Sequence, residues 1–251
     1  MIGLSKNTLI LTKSGFKSLD KIYAGERVYT HTGTLQKVID KTEIEVNESL
    51  IKVKSFNSVN DLVMDKDQVV CACKSKDRKS NVAELMPISL LKGNDFIYTY
   101  YPNRVLDKVI ADKVVKNIIN DYKDKRYVEN LPIFFRDFSE EQLKKLFKCV
   151  SKILQKDRKG YSIFLKSDNF RLMVELKEML LYLRVPSTVK ELDGDKLIFE
   201  LRYDSLILKN NVEPGYFSKI VKIETYMDNK LYTLTVENDN SYLTANYTLY
   251  A

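Results

Sequence analysis

Short alternating segments fill both ends of this chain, while helical periodicity is confined to its middle. That order constrains the fold more than any single motif does. Asn7-Thr8-Leu9-Ile10-Leu11-Thr12 alternates up to a Lys13-Ser14-Gly15 turn, and Val28-Tyr29-Thr30 and Lys37-Val38-Ile39 flank a turn at Thr32-Gly33. Apolar runs at 50–54, 61–64 and 69–73, and one ending at Tyr98, continue the series. Short strands at a spacing of roughly 8–12 residues read as an all-β domain. The segments 220–224, 231–237, 241–244 and 247–250 return to the same pattern. An open sheet exposes unpaired backbone, so the economical arrangement pairs the two β-rich ends with each other. The middle then becomes an insertion into one β-domain.

The insertion has a different period. Val105, Val109, Ile110, Val114 and Ile118 recur at helical spacing, which predicts a helix over 105–119. Ser139-Glu140-Glu141-Gln142 is a capping box ahead of Leu143, Leu146, Phe147, Val150 and Leu154. Residues 160–165 read as a strand. Asp168 stands where it can cap a further helix through Leu183, which Pro186 stops. A hairpin follows, turning at Asp193-Gly194-Asp195. The boundaries predicted are 1–102 and 217–251 for the β-domain and 103–216 for the insertion.

The net charge is +7, and most of the excess lies between Arg104 and Asn210. No stretch approaches the roughly 20 apolar residues that span a bilayer. Residues 1–6 lack the basic-then-apolar pattern of a secretory leader, so a monomer in the cytoplasm or nucleus is expected, with no membrane partner. Cys71, Cys73 and Cys149 have no disulfide framework spacing. Cys71 and Cys73 share one face of a strand and read as buried thiols. With His31 as the sole histidine, a zinc site of about four N/S ligands is out of reach, and neither metal nor cofactor is expected. His31 sits in a turn and reads as a surface residue.

Three stretches carry a family resemblance. Gly3-Leu4-Ser5-Lys6-Asn7-Thr8-Leu9-Ile10-Leu11-Thr12, with Leu19-Asp20-Lys21-Ile22-Tyr23-Ala24-Gly25-Glu26-Arg27-Val28, resembles the opening block of inteins, the protein-splicing elements of the Hint fold. Leu90-Leu91-Lys92-Gly93-Asn94-Asp95 is similar to a later turn of that family. Leu231-Tyr232-Thr233-Leu234-Thr235-Val236-Glu237 through Thr244 to the end resembles its closing block. The succession of helix, strand, helix and hairpin over 139–202 is similar to half of a LAGLIDADG homing endonuclease. The resemblance implies a mainly β Hint horseshoe assembled from both termini, with an α/β insertion of endonuclease type. Its partners would be flanking host-protein (extein) segments.

In that family a first-residue Cys or Ser attacks the preceding carbonyl, a Thr and a His strain and protonate that amide, and a terminal His-Asn pair releases the second junction. These are nucleophilic and general acid–base roles, so residue type matters. Carried over by motif, the nucleophile falls on Gly3, which has no side chain. Ser5 is the nearest alternative hydroxyl. The Thr and His positions fall on Met64 and Asp67, the position after the closing-block Tyr on Thr233, and the final pair on Tyr250 and Ala251. A carboxylate does not replace imidazolium as an acid at neutral pH. The endonuclease metal carboxylate has no counterpart in Val150-Ser151-Lys152-Ile153-Leu154-Gln155, and Asp157 lies beyond the turn. The expectation is therefore an autocatalytic fold that is inactive in splicing and without nuclease activity. Weak duplex DNA binding through Lys144, Lys145, Lys148, Lys152, Lys156, Arg158 and Lys159 is open to it, since phosphate contacts require only positive charge. The alternative is a free-standing scaffold of the same descent that binds DNA or protein without catalysis.

Overall fold

A computed structural model of the chain describes residues 3–59, 61–80, 82–104, 106, 109–192, 197–204, 214–238, 241–245 and 248–250. The protein is mainly β. In chain order the strands are β1 (Leu9–Thr12), β2 (Gly15–Ser18), β3 (Arg27–Tyr29), β4 (Leu35–Glu45), β5 (Leu50–Ser55), β6 (Leu62–Met64), β7 (Val69–Cys73), β8 (Glu84–Pro87), β9 (Phe96–Tyr100), β10 (Gln155–Lys159), β11 (Ser162–Ser167), β12 (Ser187–Leu192), β13 (Ile198–Asp204), β14 (Gly215–Tyr226), β15 (Lys230–Val236), β16 (Ser241–Leu243) and β17 (Thr248–Tyr250). The helices are α1 (Asp112–Lys123), α2 (Glu140–Ile153) and α3 (Phe170–Tyr182). The chain divides into two compact units, Met1–Asn103 with Pro214–Ala251, and Arg104–Glu213.

In the first unit, one sheet has the order β15-β4-β3-β1-β2, and another runs β16-β17-β7-β9-β14-β5-β6 with β8 beside β7. Each strand from the C-terminal arm pairs with one from the N-terminal arm or with its own neighbour. β14 lies between β9 and β5, β15 flanks β4, and β17 lies between β16 and β7. β14 serves two partners along its length, pairing with β9 from Gly215 to Lys219 and with β5 from Ile220 to Tyr226, with a bulge in the β5 register between Ile220 and Lys222. One apolar cluster then draws on both arms: Leu4, Ile10, Val53, Val70 and Ile97 with Ile220, Leu234 and Tyr242. Burying each of these side chains stabilises by about 1.5–3 kcal/mol, which makes neither arm separable from the other.

β7 is buried on both faces from Val70 to Cys73, as a continuous apolar run in a sheet interior must be. Burial raises both of its thiols above the ordinary range. His31 is not a simple surface residue. It is half-buried, and both its backbone N and its ring Nδ1 meet Ser241 Oγ, at 3.0 and 2.8 Å, so the β3–β4 turn is tied to β16.

The second unit is a four-stranded antiparallel sheet, β10-β11-β13-β12, packed on α2 and α3. The capping box is present: Ser139 Oγ accepts from Gln142 N while Gln142 Oε1 accepts from Ser139 N. Three expectations change. The first helix starts at Asp112 rather than Val105. Val109 is 94% exposed and Ala111 is extended, while Asp112 puts a carboxylate at the positive end of the helix. The strand expected at 160–165 is the second arm of a hairpin, β10–β11, which turns at Gly160 with φ +61°. The cap of α3 is Asn169, whose Oδ1 accepts from Leu172 N at 3.0 Å, and not Asp168. The turn expected at 193–195 lies outside the described residues.

Polar groups cross-brace this unit. Arg136 grips Glu178 with two 2.7 Å bonds, Tyr182 Oη donates to the same carboxylate at 2.7 Å, and Arg104 donates to the Phe138 carbonyl at 2.7 Å. Lys177 is buried and donates to the Ser187 carbonyl. Burial alone pushes its ammonium down to about 7.

Candidate functional site

The segment Gly3-Leu4-Ser5 bridges two strands that belong to different sheets. Leu4 N donates to Tyr232 O at 2.9 Å and Tyr232 N returns a bond to Leu4 O at 2.8 Å. On the other side, Ser5 N donates to Val63 O at 2.9 Å and Asp65 N to Gly3 O at 3.0 Å. Leu4 is fully buried and anchors the segment in the core. A three-residue stretch thus joins β6 to β15.

The geometry at Gly3 is closed. A Cβ built there would lie 2.9 Å from Leu231 Cβ, 3.4 Å from Tyr232 O and 3.5 Å from Leu231 Cδ1. Carbon atoms pack at about 3.5–4.0 Å, so a side chain at this position requires β15 to shift. Leu231 cannot swing away, because its Cβ is fixed to a strand paired along its length with β4.

The loop after β6 faces Gly3. Of the two positions expected to carry chemistry there, Met64 is fully buried in the apolar core and Asp67 is exposed. The polar side chains that this loop turns inward are Asp65, 8% exposed, and Gln68, fully buried. Asp65 organises the turn: its Oδ1 accepts from Asp67 N at 2.8 Å and its carbonyl from Gln68 N at 3.1 Å. Ile88 N donates to Gln68 O and Ser89 N to Lys66 O, so the loop is pinned from behind. Lys66 points outward to Glu48 at 2.8 Å. The signal that separates 65 and 68 from 64 and 67 is the flanking apolar runs. The last residue of β6 belongs to the core, so the first polar residue after it starts the turn, and the last one before β7 ends it.

The C-terminal arm reaches the same place. Tyr250 stands opposite Val69, the residue after Gln68, and opposite Ser241. Thr233 is half-buried on β15, one residue beyond the Tyr232 that pairs with Leu4. Tyr232 Oη donates to Glu43 Oε2 at 2.9 Å, and this carboxylate hydrogen bond raises the phenol while Lys230 and Tyr232 lower Glu43. Ser5 is half-buried, and its carbonyl accepts from Thr8 N at 3.1 Å. Ala251 lies outside the described residues. The backbone therefore gathers Gly3, Ser5, the 64–68 loop, Thr233 and Tyr250. The groups gathered include a carboxylate, a carboxamide and hydroxyls, while the imidazole of His31 stands off on Ser241, the residue opposite Tyr250.

The seven cations named as candidates for DNA contact do not share one face. Lys144 is paired with Glu140 at 2.6 Å, and Lys145, Lys148 and Lys152 stand together on the exposed side of α2. Lys156 and Arg158 lie on one face of β10 and Lys159 on the other, with Arg158 Nε bonded to Gly160 O at 2.9 Å. Asp157 forms an ion pair with Lys166 at 2.7 Å. Among the described residues no three His, Cys, Asp or Glu side chains cluster as metal ligands, and no helix is long and apolar enough to cross a membrane.

No protein-family profile matches the chain. Over 53 residues, 21% of its length, it is 38% identical to the ATP-dependent DNA helicase Hel308 of Thermococcus kodakarensis, and the match spans 5% of that protein. Among solved structures it is similar to the Ssp DnaB mini-intein variant M86, with TM-score 0.47 and 8% identity over 100% of this chain and 93% of that one. It is also similar to the gp41-1 intein, with TM-score 0.43 and 11% identity over 100% and 99%. A third is the DnaX mini-intein of Spirulina platensis, with TM-score 0.42 and 9% identity over 99% of each chain.

Proposed function

We propose that this chain is a protein-splicing (Hint) element carrying an inserted, endonuclease-derived α/β unit, and that it no longer performs the first step of splicing. The observation that carries the reading is the position of Gly3. It lies between β6 and β15 with the Asp65 amide on its carbonyl, where residue, loop and closing strand meet. Attack on the preceding carbonyl requires a side-chain oxygen or sulfur at residue 3, which would form the new acyl bond as the amide breaks and the nitrogen takes a proton. Glycine supplies no such atom, and the space where one would start is filled by Leu231. Gln68 is a carboxamide and cannot donate a proton as an acid would.

Nuclease chemistry is absent from the same reading. The end of α2 carries no carboxylate, and Asp157 is engaged by Lys166. What remains is a fold between flanking host segments, with duplex DNA contact restricted to surface cations of which Lys145, Lys148 and Lys152 share one helix face.

The test places the unaltered chain between two reporter proteins and follows the products by mass spectrometry, with and without added thiol. The expected result is the intact fusion, with no scission before Gly3. Ligated reporters, or thiol-dependent cleavage at that bond, would overturn the loss of the first step. A plasmid incubated with the chain and magnesium is expected to stay supercoiled.

A further inference from the structure

The second unit carries a groove that splicing does not use. α1 and α2 pack against each other, and a cavity of about 460 Å3 opens between them. Val115, Ile119 and Cys149 line its apolar part. Its rim is cationic: Lys116 and Lys123 stand seven residues apart on α1, and Lys145, Lys148 and Lys152 follow at a spacing that shares one face of α2. One acid, Asp112, joins the lining, and its Oδ1 is already occupied by Gln142 Nε2 at 2.8 Å. None of the five lysines forms an ion pair among the described residues. Burial raises the Cys149 thiol at the groove, while the charges of Lys123 and Lys152 act on it in the opposite sense, so the positive potential reaches inward.

A solvated face would carry such charges on polar neighbours, and a duplex would need them without an apolar floor. Here both are present, in a volume within the roughly 300–1,000 Å3 of small-molecule sites. We propose that the α1–α2 groove binds a single-chain anionic amphiphile, a medium-length fatty carboxylate. Its hydrocarbon lies on Ile119 and the methylene stems of the lysines, above the buried Val115, and its head group is held by the lysine rim. The proposal is independent of whether the first unit splices.

The test is calorimetric titration of dodecanoate, below its micelle concentration, into the full chain at low salt. Saturable one-to-one binding is expected. Lys148→Glu combined with Lys152→Glu changes only exposed side chains, and is expected to weaken binding about tenfold while circular dichroism stays unchanged. Dodecanol, with the same chain and no charge, is expected to bind about tenfold more weakly than dodecanoate. Absence of saturable dodecanoate binding would overturn the proposal, as would equal binding of dodecanol or an unaffected double variant. A short duplex that binds through Lys148 and Lys152 when dodecanoate does not would overturn it in favour of nucleic acid.

Discussion

Gly3→Ala probes the closed geometry at the start of the chain directly. The added methyl would lie 2.9 Å from Leu231 Cβ, against about 3.5–4.0 Å for an unstrained contact, so β15 and the 3–5 segment must separate by a sizeable fraction of an ångström. Overpacking of this kind costs about 1–3 kcal/mol. The substitution also stiffens the unfolded chain, which returns about 0.4–1 kcal/mol. The net loss is therefore about 1.3 kcal/mol at the midpoints of these ranges, felt first by the bonds between Leu4, Tyr232, Val63 and Asp65. The chain divides into two compact units, and a protein of more than one such unit need not melt in a single step, so a global melting point would blur the effect. Hydrogen exchange read by mass spectrometry on peptides covering 3–12, 62–68 and 228–236 localises it. The Leu4, Asp65 and Tyr232 amides are expected to exchange about tenfold faster in the variant. Gly25→Ala is the control: no atom lies within 4 Å of its added Cβ, and φ +94° makes the cost one of backbone strain at a turn away from Gly3. Leu231→Gly removes the clashing atom, whereas Leu231→Ala keeps it. A double-mutant cycle should therefore show coupling of about 1 kcal/mol for Gly3→Ala with Leu231→Gly and little with Leu231→Ala. Unchanged protection of these amides in Gly3→Ala would refute the reasoning.

Two predictions concern the second unit. Glu178→Ala leaves the half-buried Arg136 guanidinium without its carboxylate and should cost about 1–3 kcal/mol, read as loss of helical signal at lower urea. Lys177 is held at about 7 by burial against an ordinary value of 10.5, so above pH 7 the unfolded state binds the extra proton and stability rises with pH. The gain, a few kcal/mol at most, should be visible between about pH 7 and 8.5, below the range in which the burial-raised Cys149 thiol acts in the opposite direction. Lys177→Met should flatten that rise in a series of melts, and an unaltered slope would rule out Lys177 as its source.

The β-rich, α/β, β-rich order was legible because each arm writes its period clearly, and so was the capping box at Ser139. β10 was not legible. Gln155-Lys156-Asp157-Arg158-Lys159 has no apolar alternation, since an exposed edge strand owes its form to backbone pairing with β11. The start of α1 was misread for a related reason. Val109 and Ile110 fit the helical spacing, but nothing buries Val109, and periodicity reports a face only where there is something to pack against.

The loop at 64–68 shows why residue identity at a motif position is weaker evidence than the direction of a side chain. Matched by motif, the loop offers Met64 and Asp67. Folded, it turns Asp65 and Gln68 inward and leaves Asp67 in solvent. The same reasoning bears on Gly3. Had a cysteine or serine merely been replaced by glycine in an otherwise intact site, the removed side chain would leave a gap of at least its Cβ. Instead Leu231 fills that space, and the neighbouring loop turns a carboxylate and a carboxamide inward. If the chain is the splicing element proposed above, these features share one pocket of backbone, and that proposal then expects a site altered at several points together rather than at residue 3 alone. It follows that Gly3→Cys by itself should behave in the exchange assay as Gly3→Ala does, loosening β15 without producing thioester-dependent cleavage. Such cleavage from the single substitution would show the site to be intact but for one atom.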